Sequence, residues 1–386
     1  FALLDDRSPG AAHRASRLYE GFVREHRCVA ASQLDALCAD IEADQRAGLH
    51  ALLLADYEWG AKLLGAGTGG FADEAQRALR ERQLNRSALR VLMFERCSLL
   101  SRSEADEWLA AQEDGAQTPS AAGVIGLEAS VSRAQFDDAI VRIHAAIRAG
   151  ETYQVNYTYR LHGHAFGAPV ALYRRLRERQ PVAFGAFIAL PPRDDDADAP
   201  THVLSCSPEL FLRHRAGLVT ARPMKGTAPR VAAPESDSET ARLLAIDDKN
   251  RAENLMIVDL LRNDLGRLAR IGSVRVPSLF AIEPYRTVFQ MTSTVEAELR
   301  PEVGLPELLR ATFPCGSITG APKHHTMQLI AGFESTARGL YCGAIGWLDA
   351  APFGTPSAGA SRLGDFCFSV AIRTLVLGAD DGRGLR

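Results

Sequence analysis

Residues 132–161 run SRAQFDDAIVRIHAAIRAGETYQVNYTYRL. The opening Ser132-x-x-Gln135 is the reciprocal pattern of a capping box, in which each side chain satisfies a backbone N–H that the first helical turn leaves free. Phe136, Ile140, Ile143 and Ile147 then recur at helical spacing, and Gly150 provides the stop. Past that glycine the period changes to two: Tyr153, Val155, Tyr157, Tyr159 and Leu161 alternate with Gln154, Asn156, Thr158 and Arg160. The stretch therefore predicts a helix followed by a strand with one buried face, Gln154 and Asn156 sharing the other. Working outward, similar patterns predict strands over 183–190, 203–206, 288–295 and 366–377, and helices near 247–264 and 323–333. This mixture argues for an α+β protein with a large antiparallel sheet system. Three segments have loop composition, 112–123, the acidic run 191–200 and the Gly/Ala/Pro/Ser stretch 350–364. The first is taken as the main seam, separating an N-terminal segment 1–115 from a region 124–386.

The 386 residues are 46% hydrophobic, enough for a large core, and the formal net charge is −3. That balance gives no general attraction to nucleic acid or to anionic lipid, so a small ligand is expected. The longest apolar stretches, such as Leu52-Leu53-Leu54-Ala55 and 182–190, fall far short of the roughly 20 residues that cross a bilayer. The start Phe1-Ala2-Leu3-Leu4-Asp5-Asp6 lacks the basic flank of a signal peptide, and a cytoplasmic location is expected. Seven cysteines without a Cys-x-x-Cys pair read as reduced thiols rather than a zinc site or a disulfide framework.

Single residues are weak evidence. Glu253, in Lys249-Asn250-Arg251-Ala252-Glu253-Asn254-Leu255, would by itself be a solvated helix residue, and Lys225, between Met224 and Gly226-Thr227, an exposed charge. An amine that acts as a nucleophile, however, needs its proton affinity lowered, which apolar neighbours and a tight backbone can do. Gly316-Ser317-Ile318-Thr319-Gly320-Ala321-Pro322-Lys323 runs a glycine-bounded polar loop into a helix start, whose free N–H groups suit an anion or simply a capped helix. Tyr341-Cys342-Gly343 fits close backbone packing. Arg373 lies in the apolar run Val370-Ala371-Ile372-Arg373-Thr374 and so demands a partner, for which a carboxylate held by two hydrogen bonds is the natural choice. Together these offer a lysine, an arginine, a helix start and carboxylates to a small polyanion.

Read in order, the segments Gly150-Glu151-Thr152-Tyr153-Gln154-Val155-Asn156, Ser207-Pro208-Glu209, Pro223-Met224-Lys225-Gly226-Thr227, 251–259, Arg262-Asn263-Asp264, 316–323 and 370–374 resemble the chorismate-utilising enzymes. That family includes anthranilate, aminodeoxychorismate, isochorismate and salicylate synthases. The resemblance implies a fold of two large, mostly antiparallel β-sheets packed face to face with helices outside, the N-terminal segment contributing strands. It implies a magnesium ion held in part by Glu253, Lys225 as the nucleophile that attacks C2 of chorismate, and Glu209 as general acid and base. Gly226, Thr227 and Ser317 match positions around the ring carboxylate and Tyr341 and Arg373 those that hold the enolpyruvyl carboxylate, with Thr319, Lys323 and Gly343 as further substrate-binding residues. Gln290 stands where many relatives have a substrate-contacting His, and its amide can still donate. Members that activate water resemble one another in a Lys where this chain has Gln154, which points to a nitrogen nucleophile. Lys225 before Gly-Thr resembles the branch that aminates C4 without losing pyruvate, giving 4-amino-4-deoxychorismate on the way to 4-aminobenzoate and folate; anthranilate synthases have Ala there. The sequence holds no Gly-x-Cys-x-Gly turn of a glutamine amidotransferase, so a partner subunit supplying ammonia from glutamine is expected. The Leu3-Leu4-Asp5-Asp6 start only loosely resembles the element that binds inhibitory tryptophan. The family continues past the Arg373 strand into a helix with a second metal-binding Glu, which is expected to lie beyond this sequence. The alternatives are an anthranilate synthase and a catalytically incomplete scaffold that binds an amidotransferase.

Overall fold

The computed structural model describes residues 1–8, 13–66, 74–193, 199–351 and 363–378. Its strands are β1 (Ala2–Asp5), β2 (Ser16–Cys28), β3 (His50–Ala55), β4 (Leu89–Leu100), β5 (Gly123–Ala129), β6 (Gln154–Val155), β7 (Leu161–Phe166), β8 (Phe184–Ala189) and β9 (His202–Ser207). They continue with β10 (Leu210–Arg215), β11 (Leu218–Arg222), β12 (Met224–Pro229), β13 (Arg275–Pro284), β14 (Val288–Glu298), β15 (Gly320–Ala321), β16 (Ala344–Leu348), β17 (Phe366–Val370) and β18 (Thr374–Leu377). Fourteen of them form one sheet, thirteen along the path β12-β14-β11-β10-β17-β16-β3-β4-β2-β1-β8-β9-β18 and β13 beside β14 off that path. The α+β reading is borne out.

The two expected layers are joined into one path that folds back on itself. Strands β9 and β10 are consecutive in the chain but far apart along the path, and so are β17 and β18. Each pair therefore carries the chain around a corner from one layer to the other. One face of the fold is filled by Ala2, Tyr19, Leu52, Leu54, Phe94, Ile188, Val203 and Ile345, all 2% exposed or less, and no helical residue belongs to that cluster. Only strands facing strands can dry such a face. The opposite face of β3, β4, β10, β11, β14 and β17 is covered by helices Leu34–Arg46, Asp248–Gly266 and Leu305–Thr312, whose Leu37, Ile41, Ile257, Leu261 and Leu308 are buried against it. β1 to β4 lie in the middle of the path, so the N-terminal segment is woven into the sheet.

The expected helix after Ser132 spans Arg133–Arg148, with the capping box formed: Gln135 N–H donates to Ser132 Oγ at 3.2 Å and the Gln135 carbonyl oxygen accepts from Ser132 N–H at 2.7 Å. The long strand expected after it is different. Between 153 and 160 only Gln154–Val155 pairs, Leu161 already opening β7, and Tyr153 is 71% exposed. The backbone of this segment is satisfied instead by loop and side-chain groups: Tyr153 N–H donates to Ala321 O, Asn156 N–H to Thr319 O and Thr158 N–H to Glu334 Oε1. Likewise the strand expected over 366–377 is broken at 371–373 into β17 and β18. No helix among the described residues is long and apolar enough to cross a membrane. The acidic run and the Gly/Ala/Pro/Ser stretch lie largely outside the described residues.

Candidate functional site

Both inter-layer corners carry candidate residues. Ser207-Pro208-Glu209 turns β9 into β10, and Ala371-Ile372-Arg373 turns β17 into β18. They are tied together: Val370 N–H donates to Glu209 O at 3.1 Å, Cys206 N–H to Arg373 O at 3.0 Å and Ser207 Oγ–H to Val370 O at 2.6 Å. Arg373 takes a left-handed backbone, φ +51°, a conformation a non-glycine residue holds only where its surroundings impose it. Arg373 was expected inside an apolar strand and instead lies between β17 and β18. It is exposed at a corner, and its guanidinium donates to the neutral Gln180 Oε1 at 2.7 Å, so its charge is left for an anion from outside. Tyr341 and Gly343 join this corner because Cys342 N–H donates to Ala371 O and Ala371 N–H to Gly343 O. A Cβ on Gly343 would lie 1.9 Å from Ala55 O; no side chain fits there.

Lys225 and Gly226 sit where the β12–β14 register shifts between Met224 and Thr227. Gly226 has φ +101°, which permits the bulge that re-aims this stretch. Thr227 Oγ1–H donates to Gln290 Oε1 at 3.0 Å, leaving the Gln290 amide N–H groups available. The half-buried Lys225 ammonium has no hydrogen bond or ion pair among the described residues. Its charge does reach Glu209, which is 3% exposed with Oε1 buried and unpartnered. Burial pushes the Glu209 carboxyl up from the usual range, opposed by the Ser317 hydroxyl, the Lys225 charge and the Met224 N–H. A carboxyl that holds its proton more tightly than in water is suited to deliver a proton and take it back.

The loop from Gly316 is pinned to β6 by β15, with Gly320 opposite Val155 and Ala321 opposite Gln154. Gly320 has φ +151° and its Cβ would stand 2.0 Å from Gln154 O. Gln154, whose Oε1 is buried and unpartnered, is thereby brought beside the loop. Ser317 is buried and within reach of Glu209. Thr319 and Lys323 do other work than expected. Thr319 Oγ1–H donates to Gly316 O at 3.0 Å, closing its own turn. The Lys323 ammonium is buried against Asp264 and donates to Thr312 O at 3.0 Å, so it faces the protein interior. The reason was out of reach of local sequence: Asp264 lies 59 residues away on the long helix.

Tyr285 belongs to no motif of the sequence. It lines a cavity of about 1020 Å³ with Pro208, Leu210, Arg213, Arg222 and Trp347. Burial pushes its phenol up to about 12, with the charges of Glu283, Arg222, Arg373 and Glu209 acting on it. An aromatic residue at a strand end carries no local signal of such a place. Glu253, on helix Asp248–Gly266, has its side chain 33% exposed and only a loose pair with Lys249 at 3.8 Å. No group of three or more His, Cys, Asp or Glu side chains among the described residues is gathered tightly enough to hold a metal ion. A lightly committed, part-exposed carboxylate nevertheless fits magnesium, which keeps several waters and takes one or two carboxylates plus oxygens of its substrate.

A sequence model of chorismate-binding enzymes matches residues 6–384. The chain belongs to that family. Among its relatives is aminodeoxychorismate synthase component 1 of Klebsiella aerogenes, 43% identical over 247 residues, which are 64% of this chain and 50% of that protein. Anthranilate synthase component 1 of Streptomyces coelicolor is 35% identical over 278 residues, 72% of this chain and 51% of that protein. The chain thus spans about half the length of these relatives. The menaquinone-specific isochorismate synthase of Escherichia coli shares the fold over 98% of this chain and 79% of its own, with a TM-score of 0.66 at 15% identity.

Proposed function

We propose that this protein aminates chorismate at C4, yielding 4-amino-4-deoxychorismate for 4-aminobenzoate and folate synthesis, with ammonia delivered by a glutamine amidotransferase subunit. The observation that carries the reading is the unpaired Lys225 ammonium on its bulge, whose charge reaches the buried Glu209. The Lys225 ammonium first passes a proton to Glu209; the neutral Nζ then attacks C2 as the ring double bond shifts and the C4 hydroxyl leaves as water, taking that proton from Glu209. Ammonia then adds at C4, the double bond shifts back, the Lys225–C2 bond breaks, and the Glu209 carboxylate takes the surplus proton. Arg373 and Tyr341 hold the enolpyruvyl carboxylate, while Gly226, Thr227, Ser317 and Gln290 border the ring carboxylate. Bound magnesium, with Glu253 as a ligand, would neutralise the ring carboxylate and ease loss of the hydroxyl. Gln154, a neutral amide that cannot deprotonate water as a lysine does, favours ammonia over water.

Relatives named aminodeoxychorismate synthases are 38–45% identical to this chain, while two named anthranilate synthases are 35–36% identical. Incubation with chorismate, magnesium and ammonium, followed by mass spectrometry and fluorescence, separates the two activities. The expected product retains its enolpyruvyl group; fluorescent anthranilate would transfer the protein to the other branch, and no turnover would reject an enzyme of either kind.

A further inference from the structure

The bulge that frees Lys225 creates a local debt of hydrogen bonds. Where the β12–β14 register slips, the carbonyls of Lys225 and Met291 lie outside the regular ladder. A single buried side chain answers both: Asn254 Nδ2 donates to Lys225 O and to Met291 O, each at 3.4 Å. Its Oδ1 accepts from Ser293 Oγ–H at 2.5 Å, and Ser293 Oγ accepts from Phe280 N–H at 3.0 Å. Asn254 and Ser293 are both 0% exposed. The amide orientation is fixed by chemistry, because flipping it would set Oδ1 against two carbonyl oxygens and an N–H against a hydroxyl already oriented by Phe280. Only a side chain with two donors and one acceptor fits. Asp would repel the carbonyls, and Leu would leave both without a partner.

Asn254 follows Glu253 on the same helix, and one turn earlier Asn250 packs against Gly226, where an added Cβ would come within 3.1 Å. The helix thus grips the bulge at two successive points on one face, while its neighbouring residue is the candidate metal carboxylate. We propose that Asn254, oriented by Ser293, is a positioning residue that fixes the Lys225 amine relative to Glu253 and Glu209. The inference rests on the reading of Lys225 as the nucleophile. It assigns work to a part of the Arg251-Ala252-Glu253-Asn254-Leu255 stretch that the binding roles leave unused.

The test compares the parent full-length protein with Asn254→Ala and Ser293→Ala by two independent readouts. The first is kcat and KM for chorismate at saturating ammonium and magnesium. The second is trace acetylation with acetic anhydride, with the rate at Lys225 measured by peptide mass spectrometry relative to that at the exposed Lys249. Loosening the bulge is expected to lower kcat at least fivefold with KM changed less than threefold, and to change the relative acetylation of Lys225 at least threefold. Ser293→Ala should move both in the same direction. A smaller kcat loss, or a loss without altered acetylation, overturns the proposal in favour of a purely structural role. If Asn254→Ala does not fold, Ser293→Ala, which removes one hydroxyl, decides by the same criteria. If the parent makes no product, the functional reading falls while the acetylation ratio alone still decides the positioning: a threefold change supports it and a smaller one overturns it.

Discussion

Replacing Lys323 by Met tests whether this residue holds the fold or the substrate. Lys323 and Asp264 have side chains only 9% and 6% exposed, and the ammonium also donates to Thr312 O. Met matches the stem but leaves the Asp264 carboxylate and the Thr312 carbonyl without their partner. Removing one member of a buried ion pair costs about 3–5 kcal/mol. With about 2.1 cal/mol/K of unfolding entropy per residue, the 386-residue chain has roughly 0.8 kcal/mol/K at its midpoint, so Tm should fall by about 4–6 °C. The loss has a definite pH dependence. Burial already raises the Asp264 carboxyl and the Lys323 charge opposes that rise, so the variant holds the Asp264 proton still more tightly. A group whose folded pKa is raised stabilises the protein below its unfolded pKa, about 3.9 for Asp, and loses that contribution as pH rises through the folded value. The deficit is therefore larger at pH 8 than at pH 5. Calorimetry at both pH values, beside steady-state kinetics, makes the measurement; KM for chorismate should stay within twofold. An unchanged Tm with a tenfold higher KM would refute the reasoning and return Lys323 to the substrate.

Three further outcomes follow from the same geometry. Glu209→Gln should cut kcat by about 10²–10⁴; because folding raises the proton affinity of Glu209, its ionised form costs stability above the unfolded pKa, so the variant should be at least as stable as the parent at pH 8, and calorimetry showing a large loss would contradict a carboxylate disfavoured by burial. Gly320→Ala would force a Cβ to within 2.0 Å of Gln154 O at φ +151°, and should cost about 3 kcal/mol or more, visible as a lower denaturation midpoint and lost activity; a neutral result would deny the β6–β15 clamp. Arg373→Ala should raise KM for chorismate about 10–100-fold, the worth of a charge-assisted hydrogen bond, with a smaller effect on kcat, and equal kinetics in variant and parent would remove Arg373 from the site.

Element type was legible wherever one periodicity dominated. The helix from Ser132 needed only its capping box and its Ile spacing, and helix Lys323–Phe333 lies where its pattern put it. Alternation misled at 153–161, because a period-two pattern states which residues differ, not where their backbone groups bond. There the N–H groups of Tyr153, Asn156 and Thr158 go to Ala321, Thr319 and Glu334, all far along the chain. Arg373 shows the same limit, since its left-handed corner is imposed by contacts with Cys206 and by the chain's passage between layers. Of the candidate residues, Glu209, Lys225, Gly226, Thr227 and Ser317 could be proposed from the sequence because the family pattern runs through them, and Gln290 because it departs from that pattern. Lys323 and Tyr285 were not, because burial against Asp264 and exposure to the cavity are set by distant segments.

The central claim is that Lys225 becomes covalently attached to the substrate before ammonia arrives. The direct measurement is mass spectrometry of the protein incubated with chorismate and magnesium in ammonia-free buffer, digested and mapped, beside Lys225→Ala. The account predicts a modification of the Lys225 peptide equal to chorismate less one water, absent from the variant and discharged to 4-amino-4-deoxychorismate when ammonium is added. Formation of product by Lys225→Ala at the parent's rate, with no adduct in either protein, would contradict it.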